Sequence, residues 1–110
     1  MPQPILLCTV GGSHQPILTA IREVSPAFVT FFCTGPDPAT GKPGSCTQIG
    51  GKGTPVEARR GDQIERLPNI PTQVGLAADA YAVREVPADD LDTAVHLMLA
   101  EIDRLRAAFP

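Results

Sequence analysis

The stretch that decides the fold is Ile5-Leu6-Leu7-Cys8-Thr9-Val10-Gly11-Gly12-Ser13-His14-Gln15-Pro16-Ile17-Leu18-Thr19-Ala20-Ile21-Arg22-Glu23-Val24-Ser25-Pro26-Ala27-Phe28-Val29-Thr30-Phe31-Phe32-Cys33. Ile5–Val10 is a nearly continuous apolar run, the pattern of a strand buried on both faces in a parallel sheet. Gly11-Gly12 ends it. Pro16 suits the first turn of a helix, where its missing N–H costs nothing. Ile17, Leu18, Ile21 and Val24 then keep helical spacing, and Ser25-Pro26 stops the helix because the residue before proline disfavours the α region. Phe28–Cys33 is a second buried strand rich in β-formers. Strand, glycine turn, helix and strand within about 30 residues is a βαβ unit, with parallel strands and a right-handed crossover.

Working outward, Thr34–Thr54 carries six glycines and three prolines. So long a loop in a small domain is expected to be functional or mobile. Residues 56–67 predict a hairpin turning at Gly61. The rival is a helix capped by Thr54, with Pro55 first and Glu57 closing a capping box; Gly61 counts against it. One helical turn is expected over Thr72–Leu76 and a third strand over Tyr81–Val86. A last helix is expected after Asp89 as N-cap. Its apolar stripe is Leu91, Val95, Met98, Ile102, Leu105 and Phe109.

The element order predicts an α/β fold: a Rossmann-like parallel sheet with flanking helices and an inserted β-hairpin. Length bounds the chain to one domain over residues 1–110, since 110 residues argue against two. Three strands make a thin sheet. The chain therefore reads as a whole domain or the N-terminal portion of one, or as a sheet that a partner chain completes.

Composition excludes several classes. A net charge of −3 and a pI near 5.2 argue against a globally basic nucleic-acid binder. No Trp, one Tyr and four Phe leave few surfaces for stacking bases. Cys8, Cys33 and Cys46 are odd in number, widely spaced and without a C-x-x-C. They are expected to be free thiols, buried where they sit in apolar runs, in a reducing cytoplasm. Two histidines cannot supply a zinc set of known spacing. No basic start marks a signal peptide, and no apolar run approaches a bilayer span.

The candidate chemistry sits at Gly11-Gly12-Ser13-His14-Gln15, between the end of strand one and the start of helix one. In open α/β sheets ligands bind at this edge. Glycines admit close backbone approach, and helix-start N–H groups favour anions. A phosphate-bearing ligand is the natural guest; the bland reading is a plain βα turn with Ser13 as helix cap. Other motifs fail. G-x-G-x-x-G is absent, Gly50-Gly51-Lys52-Gly53-Thr54 departs from a P-loop, and Gly11–Gln15 lacks the closing glycine of a nucleophile elbow. Asp89, Asp90 and Asp92 read as helix-start partners of the dipole. His96 reads as a flank residue, and Arg59, Arg60 and Arg66 as a solvated basic patch or a contact for an acidic ligand or partner.

Residues Ile5–Ile17, with the Phe28–Cys33 strand, resemble the start of a CRISPR-associated Rossmann fold (CARF) domain. Leu67–Gln73 and Val86–Asp92 also look like members whose CARF domain precedes an effector. The resemblance implies a sensor that binds cyclic oligoadenylate, a second messenger of type III CRISPR antiviral defence. The ligand would lie in a homodimer cleft and regulate an effector domain or partner chain in the cytoplasm. It implies ligand binding at Gly11, Gly12, Ser13, His14 and Gln15, with Thr34 and Gly35 on the same sheet edge. It implies no catalytic residue, metal or cofactor, and no membrane partner. The alternatives are a metal-independent ring nuclease that cleaves the messenger, with His14 or Ser13 assisting, and a structural or assembly subunit. The sequence contains no glycine-threonine-lysine turn, the family's second signature.

Overall fold

The computed structural model describes residues 4–11 and 13–109, apart from the side chain of Arg60; Gly12 of the candidate loop lies outside the described residues. The elements are β1 (Ile5–Thr9), α1 (Gln15–Val24), β2 (Phe28–Cys33), α2 (Thr47–Gly50), β3 (Val56–Arg60), β4 (Gln63–Leu67), α3 (Ile70–Val74), a 3-10 turn (Ala78–Ala80), β5 (Tyr81–Glu85) and α4 (Leu91–Ala108). They form a mixed α/β fold. A three-stranded parallel sheet has the order β1-β2-β5, and β3 and β4 form a separate antiparallel pair.

β2 is the central strand, and its alternation builds two layers. Val29, Phe31 and Cys33 enter the main core with Ile17, Leu18 and Ile21 of α1, Ile49 of α2 and Ile70 of α3. Thr30 is on the opposite face, where its hydroxyl donates to the Glu101 carboxylate of α4 at 2.7 Å. Phe28 meets Phe109 just beyond α4, with ring centroids 5.5 Å apart. So α1 and α4 cover opposite faces of the sheet.

α1 begins after His14, and proline occupies its first turn as the sequence predicts. It ends at Ser25, whose N–H still donates to Ile21 O and whose left-handed φ of 49° then turns the chain out of the helix before Pro26. A non-glycine residue in this region costs about 1–2 kcal/mol. β1 is less covered than its apolar run implies: Cys8 is its buried residue and Leu7 is 38% exposed. Leu7 lies beside Thr30 and so shares α4's face of the sheet. α4, however, is drawn toward β5, because Arg84 of β5 donates to Glu101 at 3.2 Å.

The same contact corrects the expected stripe on α4. Of the expected residues Leu105 is buried and Met98 and Ile102 are half-buried, joined by buried Ala94 and Glu101, whereas Leu91 is 77% and Val95 43% exposed. The apolar arc of this helix is wider than its contact with the sheet. The Thr30–Glu101–Arg84 hydrogen bonds select which line turns inward. The N-cap is Asp90, not Asp89. Asp90 accepts from Thr93 N at 3.0 Å and from Thr93 Oγ1 at 2.7 Å, contacts that hold its carboxyl below the usual range.

The expectation of free thiols fails for two of the three cysteines. Cys33 and Cys46 form a disulfide, and Cys8 is a free, buried thiol that burial pushes up in pKa. The bond closes because residues 34–46 fold back onto the end of β2. Cys46 N donates to Thr34 O, Thr34 N to Ser45 Oγ, and Ser45 N to Thr34 Oγ1. Gly44 is required at this overlap, since a Cβ there would strike the Thr34 and Gly35 carbonyl oxygens. The long loop is thus not structureless, and α2 lies within it. The basis for assigning a reducing compartment goes with the free thiols.

The hairpin is observed and the capped helix is not. Arg60 pairs with Gln63 across Gly61-Asp62, and Gly61 has φ 63°. Glycine at the first central position is the signature of a type II′ turn. Val56 (1% exposed) and partly buried Leu67 root the hairpin in the core. α3 starts two residues before the expected turn, because Asn69 caps it by accepting from Thr72 N. Asn69 also donates to Gly51 O, joining α3 to the end of the loop.

Candidate functional site

A cavity of about 830 Å³ opens at the C-terminal end of β1. Three pieces of chain wall it: Gly11, Ser13, His14 and Gln15 of the β1–α1 turn; Pro43–Ser45, Thr47 and Gln48 of the folded-back loop; and Pro55, Glu57–Arg59 and Leu67 of the hairpin. Each is held for a physical reason: strand one ends at Thr9, two residues before Gly11, the disulfide fixes the loop, and Val56 anchors the hairpin.

The turn presents backbone to this space. A Cβ on Gly11 would meet nothing within 4 Å, so packing does not demand glycine there. Gln48 reaches across and donates through Nε2 to Gly11 O at 2.7 Å, while its Oε1 is buried without a hydrogen-bond partner among the described residues. The first helical N–H groups with intrahelical acceptors are those of Ile17 and Leu18, both bonded to His14 O. Pro16 has no N–H. The amides of His14 and Gln15 are therefore the helix-start donors, backed by the α1 dipole. Ser13 does not cap the helix; His14 holds the N-cap position and makes no side-chain cap bond.

His14 is only 6% exposed and lines the cavity, and its side chain makes no hydrogen bond to another described residue. On the hairpin wall, Arg66 lies 3.6 Å from Glu57, so the carboxylate has a counter-ion. Arg59 has no carboxylate within ion-pair distance among the described residues.

The expected group of residues is divided. Gly11, Ser13, His14 and Gln15 come together in this cavity. Thr34 and Gly35 instead line a second space of similar volume, with Glu85–Asp90 and residues 36–39. Pro43 and Gly44 border both. Gly35 abuts the Glu85 carboxylate, which a Cβ at residue 35 would strike. Sequence reasoning did not place Ser45, Thr47, Gln48 and Glu57 at the site, and Arg59 entered as part of a basic patch, solvated or in contact with an acidic ligand or partner, without being joined to the β1–α1 turn. The glycine-rich loop signalled function, but the disulfide and the hairpin bring those particular side chains to the turn.

Chemically, the cavity offers amide donors, one imidazole, hydroxyls, one guanidinium and the Glu57 carboxylate. The donors among these suit an oxyanion. Among the described residues His14 makes no hydrogen bond or ion pair with a carboxylate. Among the described residues no three His, Cys, Asp or Glu side chains gather as a metal site. His96 is exposed, as expected for a flank residue. Among the described residues no helix is long and apolar enough to cross a membrane. Comparison with known proteins finds no matching family model, no matching curated protein and no matching solved structure.

Proposed function

We propose that the chain is a ligand-sensing module of Rossmann-like type that binds a phosphate-bearing nucleotide at the β1–α1 turn. The observation that carries this reading is the cavity itself: four of the expected ligand-binding residues, His14 among them, wall it beside the helix-start amides of α1. The resemblance of Ile5–Ile17 to CARF domains narrows the guest to cyclic oligoadenylate. It also suggests a homodimer that regulates an effector domain or partner chain. Parallel strands with helices on both faces support the Rossmann-like reading.

Isothermal calorimetry of the chain with cyclic tetra-adenylate and cyclic hexa-adenylate tests it. Saturable heat with one ring is expected, reduced by Gly11→Val. Absence of heat with both rings at saturating concentration overturns the nucleotide reading. Chromatography of the same mixtures after long incubation separates sensing, which leaves the ring intact, from cleavage, which gives linear products.

A further inference from the structure

The geometry points to a two-point anion site in which the β3–β4 hairpin supplies the second contact: Arg59 binds a phosphate next to the one held at the start of α1. This rests on the nucleotide reading above and adds the residue and the ligand class, a molecule with two neighbouring phosphates. Three observations converge. The cavity extends from the Ser13–Gln15 turn to the hairpin, so one guest can touch both walls. His14, 6% exposed, lines the turn side beside the helix-start amides. On the hairpin side the only acidic lining residue, Glu57, already has Arg66 beside it, leaving the Arg59 guanidinium uncompensated among the described residues.

The two walls differ in what they offer an anion. The α1 side gives backbone N–H groups and a dipole, which suit one phosphate and fall off within a turn. Arg59 gives a planar fork matched to phosphate oxygens. A single phosphate can use one wall; a diphosphate can use both. The expected signature is preference for the doubly phosphorylated guest, and that preference depends on Arg59.

The test uses orthophosphate and pyrophosphate as probes, titrated by calorimetry into the whole chain at fixed ionic strength. The wild type should bind pyrophosphate more tightly than orthophosphate after allowance for net charge, measured against tricarballylate as a trianion without phosphate. Arg59→Ala should weaken pyrophosphate by about tenfold and leave orthophosphate nearly unchanged. Arg59→Lys should restore only part of the difference, and Arg22→Ala, on the last turn of α1, should change neither. Arg59 is exposed, so Arg59→Ala should melt within experimental error of the wild type, which separates lost binding from lost folding. Wild-type binding of pyrophosphate with undiminished affinity in Arg59→Ala overturns the two-point site and leaves the α1 site standing. Failure of the wild type to bind either phosphate overturns both.

Discussion

Removing the charge of Glu101 should destabilise the fold most at neutral pH and progressively less in acid. Its carboxylate accepts from Thr30 Oγ1 at 2.7 Å, Arg84 Nε at 3.2 Å, Arg104 Nε at 2.6 Å and Arg104 Nη2 at 2.9 Å. Hydrogen bonding by Arg104 leads in lowering its pKa to about 2 from 4.5, with Thr30 and Arg84 adding to it and burial opposing it. Taken whole, that shift corresponds to about 3 kcal/mol. The side chains of Arg84 and Arg104 are 42% and 45% exposed, however, and solvent screens their share. A discounted value of about 1–2 kcal/mol is the expectation for Glu101→Gln at pH 7. In a domain of this size that is roughly 5–10 °C in Tm. Glu101→Ala should cost about 3 kcal/mol, because it also leaves a cavity and an unpaired Thr30 hydroxyl at 0% exposure.

The folded chain holds the carboxyl's pKa below its unfolded value, so on acidification the unfolded chain takes up the proton first. The stabilisation is complete above about pH 4.5 and is lost as pH falls toward about 2. Urea denaturation of wild type and Glu101→Gln from pH 7 to pH 2.5 measures the difference directly. A gap that narrows below pH 4.5 is expected. A gap that stays constant or widens in acid, or one smaller than about 0.3 kcal/mol at pH 7, refutes the electrostatic account.

Three other perturbations probe the walls of the cavity. Gly11→Val places a side chain in open space, so it should unfold within about 1 kcal/mol of wild type while losing most of its nucleotide binding by calorimetry. Gly44→Ala drives a Cβ into the Thr34 and Gly35 carbonyl oxygens and should cost about 1–3 kcal/mol in urea denaturation, with hydrogen exchange rising at Cys46 N. Cys46→Ser removes a crosslink with a sequence separation of 13. It should cost about 2–4 kcal/mol and weaken ligand binding, because Thr47 and Gln48 are no longer tied to β2.

The βαβ unit was legible because its signals are local. The apolar run before Gly11, Pro16 at a helix start and Ser25-Pro26 at its end each act within a few residues. The hairpin was legible for the same reason, through Gly61. What escaped was decided at long range. Cys33 and Cys46 show no motif, and only the folding of the intervening loop onto Thr34 brings them together. The buried line of α4 depends on Thr30, 71 residues from Glu101; no helical periodicity announces an inward-facing glutamate. Asp90 over Asp89 as cap turned on Thr93 lying three residues on. At the site, the turn was readable from its glycines. Gln48 and Arg59 were not, since their arrival at Gly11 is a product of tertiary closure.

The placement of α4 carries one more consequence. α1 and α3 lie on the face crossed as the chain moves from β1 through β2 to β5, whereas α4 returns beneath the other face. Because right-handed connections prevail between parallel strands, any strand reached from α4 by such a path could enter this sheet only beside β1. The direction of winding would then reverse beside Gly11. The loops after β1 and after that newcomer would diverge to opposite faces and leave a crevice between them, turning the present rim of the cavity into its middle.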